Sequence, residues 1–152
     1  MNYQKTICFV CNDNKILSVM AQKLLQKQIG AGLSIKVESK GLLADGDEVD
    51  CLAKQVLAKH DILVGKRKSR QIGQGRSLIN KLVITMDESQ KQAFMQPNQV
   101  KCLGELVGGE DVVLPQCPAI CDVENAFNVL SDYINKLAII LKGENGYDSA
   151  CK

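Results

Sequence analysis

Hydrophobic periodicity along the chain alternates between short apolar runs and amphipathic segments. Lys5 to Cys11 is apolar over Ile7 to Val10, which suits a central strand covered on both faces, as parallel sheets require. After a polar stretch, Met20, Ala21, Leu24, Leu25 and Ile29 recur at helical spacing, with Ser18 expected as N-cap and Gly30 and Gly32 as the stop. Ser34 to Ser39 alternates Ile35 and Val37 with polar neighbours, as a second strand would, and Gly41 opens a loop toward Asp45-Gly46-Asp47. Val49, Leu52, Ala53, Val56 and Leu57 form the inner stripe of a second helix, with Asp47 near its start and His60 placed on the same stripe as a packing residue. Leu82 to Met86 is a third strand, Asp87 and Ser89 open a helix through Gln96, and Val100 to Leu103 reads as a last strand. Residues 104–121 fit neither period and carry Gly108-Gly109, Pro115 and Pro118, so a long functional loop is expected there. Asp122 to Lys142 closes the chain with a well-patterned amphipathic helix.

Strands alternating with helices predict an α/β fold: a single domain with a central, mostly parallel four-stranded sheet flanked by helices on both faces. The domain is expected over 1–142, with 143–152 as a polar, mobile tail. In such sheets ligands bind beyond the carboxyl ends of the strands, which directs attention to the loop after the first one.

Composition narrows the function classes. Nineteen Lys and Arg against seventeen Asp and Glu leave a formal charge of +2, too balanced for nucleic acid or an acidic membrane as partner. The basic run Lys66 to Arg70 reads as a solvated loop. Seven cysteines cannot all pair internally and form no secreted-domain framework, and no apolar run approaches a membrane span, so a reducing, cytoplasmic setting is expected. Cys8, Cys51 and Cys102 fall in apolar segments and read as core.

The candidate chemistry lies in Cys11-Asn12-Asp13-Asn14-Lys15-Ile16-Leu17-Ser18. A tight polar loop between strand and helix points backbone N–H groups inward, and the helix adds its positive end, so Asn12, Asp13, Asn14, Lys15 and Ile16 form a candidate anion-binding loop. Cys11 at its floor would have its thiol shifted toward thiolate, as a nucleophile requires.

With these elements placed, the sequence resembles the low-molecular-weight protein tyrosine phosphatases from about residue 5 to residue 142. The likeness rests on Ile7-Cys8-Phe9-Val10-Cys11, the loop through Ser18, Met20-Ala21, Ser39 with Gly41, and Ser69-Arg70-Gln71-Ile72. Ile84-Thr85-Met86-Asp87, Leu103-Gly104, and Asp111-Val112 leading to Pro115 extend it. The resemblance implies that Cys11 matches the nucleophile, Asn14 the structural loop asparagine and Ser18 the hydroxyl supporting the thiolate. Two positions depart. Leu17 stands where the family has the arginine that clamps the phosphoryl group, and Leu114 stands where it has the aspartate that protonates the leaving phenol. Asp13, where the family usually has glycine, adds a like charge near an incoming phosphate.

The expectation is therefore a phosphatase-fold protein with lost or strongly reduced phosphatase activity, acting as an anion- or partner-binding module. Its partner would be a phosphorylated protein or a small anion, and no cofactor is expected. Asp111 or Asp122 could replace the missing acid in a shifted register, leaving an active cysteine-dependent phosphotyrosine phosphatase as one alternative. A second is a thiol redox or soft-metal site using Cys11 with Cys117 or Cys121. The cysteine cascade of the similar thioredoxin-coupled arsenate reductases is absent, since Met86 and about Ala93 fall at its added positions. The chain is also similar to the B components of sugar phosphotransferase systems, which use no arginine at the Leu17 position but lack the Ser69-Arg70-Gln71 and Ile84-Thr85-Met86-Asp87 segments.

Overall fold

The computed structural model describes residues 5–30, 34–73, 78, 80–94 and 100–145. Strand β1 (Lys5–Cys11) runs into helix α1 (Leu17–Ile29), followed by β2 (Ile35–Gly41) and α2 (Cys51–Lys59). The second half contributes β3 (Lys81–Thr85), α3 (Glu88–Gln92), β4 (Val100–Cys102), α4 (Leu103–Val107) and α5 (Ile120–Asn145). The four strands lie in the order β2-β1-β3-β4 and every pairing is parallel. β1 is central, with Phe9 opposite Ser39 on one side and Ile84 on the other. The chain turns from one half of the sheet to the other at β1 and β3, which opens a crevice at their carboxyl ends.

Alternation along β1 divides the interior into two apolar layers. Ile7 and Phe9 enter the larger one, with Met20, Leu25, Leu57, Leu130, Ile134 and Leu137 from the helices. Cys8 and Val10 face the other way, into a smaller cluster with Ile72, Val83, Phe94 and Val100. A strand buried on both faces explains why this segment is continuously apolar.

Several boundaries differ from those expected. Helix α1 begins at Leu17, not after Ser18: its N-cap is Ile16 with no side-chain cap, and Ser18 sits inside the first turn with its hydroxyl used elsewhere. Asp50 caps α2, its carboxylate accepting from the Leu52 N–H at 2.8 Å, and Asp47 lies ahead of the helix. His60 is exposed beyond the end of α2, stacked on Phe127 with ring centroids 4.2 Å apart. Cys51 is exposed at the first position of α2, whereas Cys8 and Cys102 are buried as expected. Helix α3 is five residues long and stops before Gln96, which lies outside the described residues. The 104–121 segment is not all loop, because α4 occupies its start and α5 begins two residues before Asp122. Helix α5 also runs past Lys142 to Asn145, so three residues assigned to the tail belong to it; 146–152 lie outside the described residues.

The carboxyl end of β2 meets the loop after β1 at Gly41. A Cβ there would come within 2.9 Å of the Asn12 oxygen and the Asn14 nitrogen, both backbone atoms that cannot yield cheaply. Glycine thus lets two backbones touch, and the contact is sealed by Leu42 N–H donating to the Cys11 carbonyl at 2.9 Å and Leu43 N–H to that of Asn12 at 2.7 Å. Gly41 N–H in turn reaches the Arg70 carbonyl at 2.7 Å.

Candidate functional site

The loop after β1 is built around one buried asparagine. Asn14 is fully enclosed and holds φ at +59°, a left-handed conformation that asparagine tolerates better than most residues. Its amide nitrogen donates to Ser18 Oγ at 2.9 Å and to Ser39 Oγ at 3.0 Å. Its oxygen accepts from the Arg70 backbone N–H at 2.9 Å and from Arg67 Nη2 at 3.3 Å. A chain of bonds continues behind it: Ser39 Oγ donates to Gln22 Oε1 at 2.7 Å, and Arg67 Nη1 donates to the same oxygen at 2.5 Å. Ser18 Oγ accepts from Asn14, so its own proton is free to point at Cys11 Sγ, 3.0 Å away.

Hydroxyl and amide donors alone would favour a thiolate, but burial outweighs them. Desolvation pushes the Cys11 thiol above its ordinary pKa, while hydrogen bonds from the Ser18 hydroxyl and from the Ser18 and Asn14 backbone pull it down and Asp13 pushes it up again. The expected shift toward thiolate is thus reversed. Asp13 Oδ1 lies 3.8 Å from the sulfur and offers a carboxylate where an incoming phosphate would bring more negative charge.

Cys11 opens onto a cavity of about 290 Å³ at the carboxyl ends of β1 and β3. Asn12, Asp13, Ile16 and Leu17 form one wall; Asp87 and Gln90 form another; and residues 112–116 with Pro118 form the third. The segment after α4 thus brings Leu114 into one cavity with Leu17 and the thiol. Among the described residues that line it there is no lysine, arginine or histidine, and the two ionisable oxygens-bearing groups are Asp13 and Asp87. Asp87 is engaged as the cap of α3, accepting from the Gln90 N–H and the Ser89 hydroxyl at 2.8 Å each.

Other expected members lie elsewhere. Lys15 turns away from the cavity to pair with Asp45 at 2.9 Å and Asp47 at 3.7 Å, and Asn14 is a strut beneath the loop, not a lining group. Asp111 accepts from the Glu88 N–H at 3.1 Å, and Asp122 from that of Ala119 at 2.9 Å; neither lines the Cys11 cavity. Cys117 and Cys121 are exposed free thiols and also stay out of that lining. Among the described residues no group of three or more His, Cys, Asp and Glu side chains could hold a metal ion. The Lys66–Arg70 run is only partly solvated, since Arg67 is half-buried beneath the loop and Ser69 is buried. Gln22 and Arg67 are structural members that the sequence does not announce. Gln22, one turn after Ser18 on an otherwise apolar stripe, carries a faint signal; Arg67, within a charge run, carries none.

A family model described as low molecular weight phosphotyrosine protein phosphatase matches residues 6–139. The chain belongs to that family. One curated relative, a probable low molecular weight protein-tyrosine-phosphatase EpsP from Ralstonia nicotianae, is 33% identical over 99 residues, covering 64% of this chain and 66% of its own. Among solved structures, the YwlE arginine phosphatase from Geobacillus stearothermophilus is 28% identical with a TM-score of 0.81, covering 92% of this chain and 94% of its own. A YwlE mutant from Bacillus subtilis gives 26% identity and a TM-score of 0.82, covering 91% of this chain and 99% of its own. The four-stranded parallel sheet and single-domain α/β architecture are those of this phosphatase family. Among the described residues no helix is long and apolar enough to cross a membrane.

Proposed function

We propose that this member of the phosphatase family has lost, or retains very little, phosphotyrosine phosphatase activity and uses the Cys11 cavity as a binding module. The carrying observation is the cavity lining: Leu17 and Leu114 face the space above Cys11 where the family resemblance implies a phosphate-clamping arginine and a general acid. Leucine supplies neither the positive charge nor the bidentate fork that fits a phosphoryl group. Losing one preorganised donor costs about 10² to 10³ in rate and losing general acid catalysis about 10² to 10⁴, so a combined deficit of roughly 10⁴ is expected even without strict additivity. The upward push of burial on the Cys11 thiol acts in the same direction, because it disfavours the thiolate that a nucleophile needs.

Restoring both groups tests this reading. Leu17→Arg combined with Leu114→Asp should raise aryl phosphate hydrolysis by at least about a hundredfold over the wild type, and adding Cys11→Ser should abolish the gain. No gain in a folded double variant would show that these two positions do not account for the deficit.

A further inference from the structure

A second cavity, of about 270 Å³, lies between α1, β2 and the 64–70 segment and shares no lining residue with the Cys11 cavity. Its charge is lopsided. Lys23, Lys40, Arg67 and Arg70 line it against a single carboxylate, Glu38. That carboxylate is already committed, to Lys81 at 2.8 Å and to Lys36 and Lys40 at 3.8 Å each. Among the described residues Lys23, Arg67 and Arg70 have no carboxylate partner. Burial and the nearby Arg67 hold the Lys23 ammonium below its ordinary pKa, and burial with Arg70 does the same to Arg67. Arg67 is further incomplete: its Nη atoms serve Gln22 and Asn14, but its Nε is the one buried side-chain nitrogen or oxygen among the described residues with no hydrogen-bond partner. Crowded like charges without a counter-ion are costly, and one anion seated among them would offset that cost.

We propose that this cavity is an anion site that takes a phosphate dianion, free or as a small phosphate ester, held by Lys23, Arg67 and Arg70. The exposed Arg70 guanidinium supplies planar, paired donors suited to a tetrahedral oxyanion, while Lys23 and the half-buried Arg67 add positive charge. The site stands apart from the chemistry at Cys11, so it holds whether or not the family activity survives. It also touches the loop framework, because Arg67 bonds Asn14 at 3.3 Å, and Asn14 in turn holds Ser18.

The test is a phosphate titration of the full chain followed by ¹⁵N–¹H correlation spectra, with sodium chloride at matched ionic strength as the screening control. Saturable shifts should appear at the amides of 22–23, 38–40 and 67–70. Lys23→Gln with Arg70→Gln should weaken the binding at least about tenfold, whereas Lys23→Arg should preserve it and show that the charge, not the fold, is being read. Repeating the titration with glycerol 3-phosphate separates the sources: tighter binding than phosphate assigns the cavity to an ester, equal or weaker binding to the free ion. Shifts confined to 11–18, no saturation, or unchanged affinity in a folded double variant would overturn the proposal.

Discussion

The underside of the Cys11 loop and its mouth obey different rules. Underneath, Asn14, Ser18, Ser39, Gln22 and Arg67 form a nearly closed set of hydrogen bonds, from which the buried Arg67 Nε is left out. At the mouth, Leu17 and Leu114 offer no polar group, Lys15 points to Asp45, and Asp13 adds negative charge beside the thiol. A loop can keep the framework that shapes it while losing the side chains that react through it, since the first is enforced by folding stability and the second only by catalysis.

Substitutions should therefore hurt most underneath. Asn14→Ala removes four hydrogen bonds from a buried position and leaves alanine in a left-handed conformation. A loss of about 3 kcal/mol or more is expected by urea unfolding. Gly41→Ala should match it through the backbone clash with Asn12 and Asn14. A cost under about 1 kcal/mol for either would mean that the framework does not hold the loop.

The buried thiols give the next largest effect, as a pH dependence. Burial and Glu38 push Cys8 up to about 12. The unfolded chain loses that proton at lower pH than the folded one, so it binds fewer protons and stability must fall as pH rises through the ordinary thiol range toward about 12. Cys8→Ala should remove up to roughly 1.4 kcal/mol per pH unit of that slope; an unchanged slope would mean the thiol ionises freely in the fold. Smaller still, Ser18→Ala should cost about 1 to 2 kcal/mol and raise the Cys11 pKa further, seen as slower alkylation at a given pH. At the mouth, Asp13→Asn should change stability by less than about 0.5 kcal/mol while lowering the Cys11 pKa, because a negative neighbour is removed.

Much of this arrangement was legible in the sequence. Strand β1 stood out because a strand covered on both faces must be apolar throughout, and α5 because a long amphipathic stripe has one period to follow. The polar stretch after the first strand marked Cys11 as a candidate, and the family resemblance singled out Asn14 and Ser18 beside it and Leu17 and Leu114 as departures. What escaped was set by tertiary contact. From the helix pattern alone Ser18 reads as a cap, although the family resemblance implies a hydroxyl beside the thiol, and in the fold Cys11 and Asn14 claim it. Arg67 looked solvated because it sits among charges, yet the fold carries it beneath the loop to Gln22 and Asn14. The Cys11 pKa went the other way from the helix-end argument because burial, which no local pattern reports, outweighs the donors.

Hydrolysis of an aryl phosphate by the purified wild-type chain, set beside its Cys11→Ser variant, tests the proposed loss of catalysis without altering the loop mouth. Wild-type turnover is expected to be at least about 10⁴-fold below that of an intact phosphatase site and close to that of Cys11→Ser. Robust turnover that disappears on substitution of Cys11 would contradict it and show that a phosphate can be cleaved without the arginine and the acid.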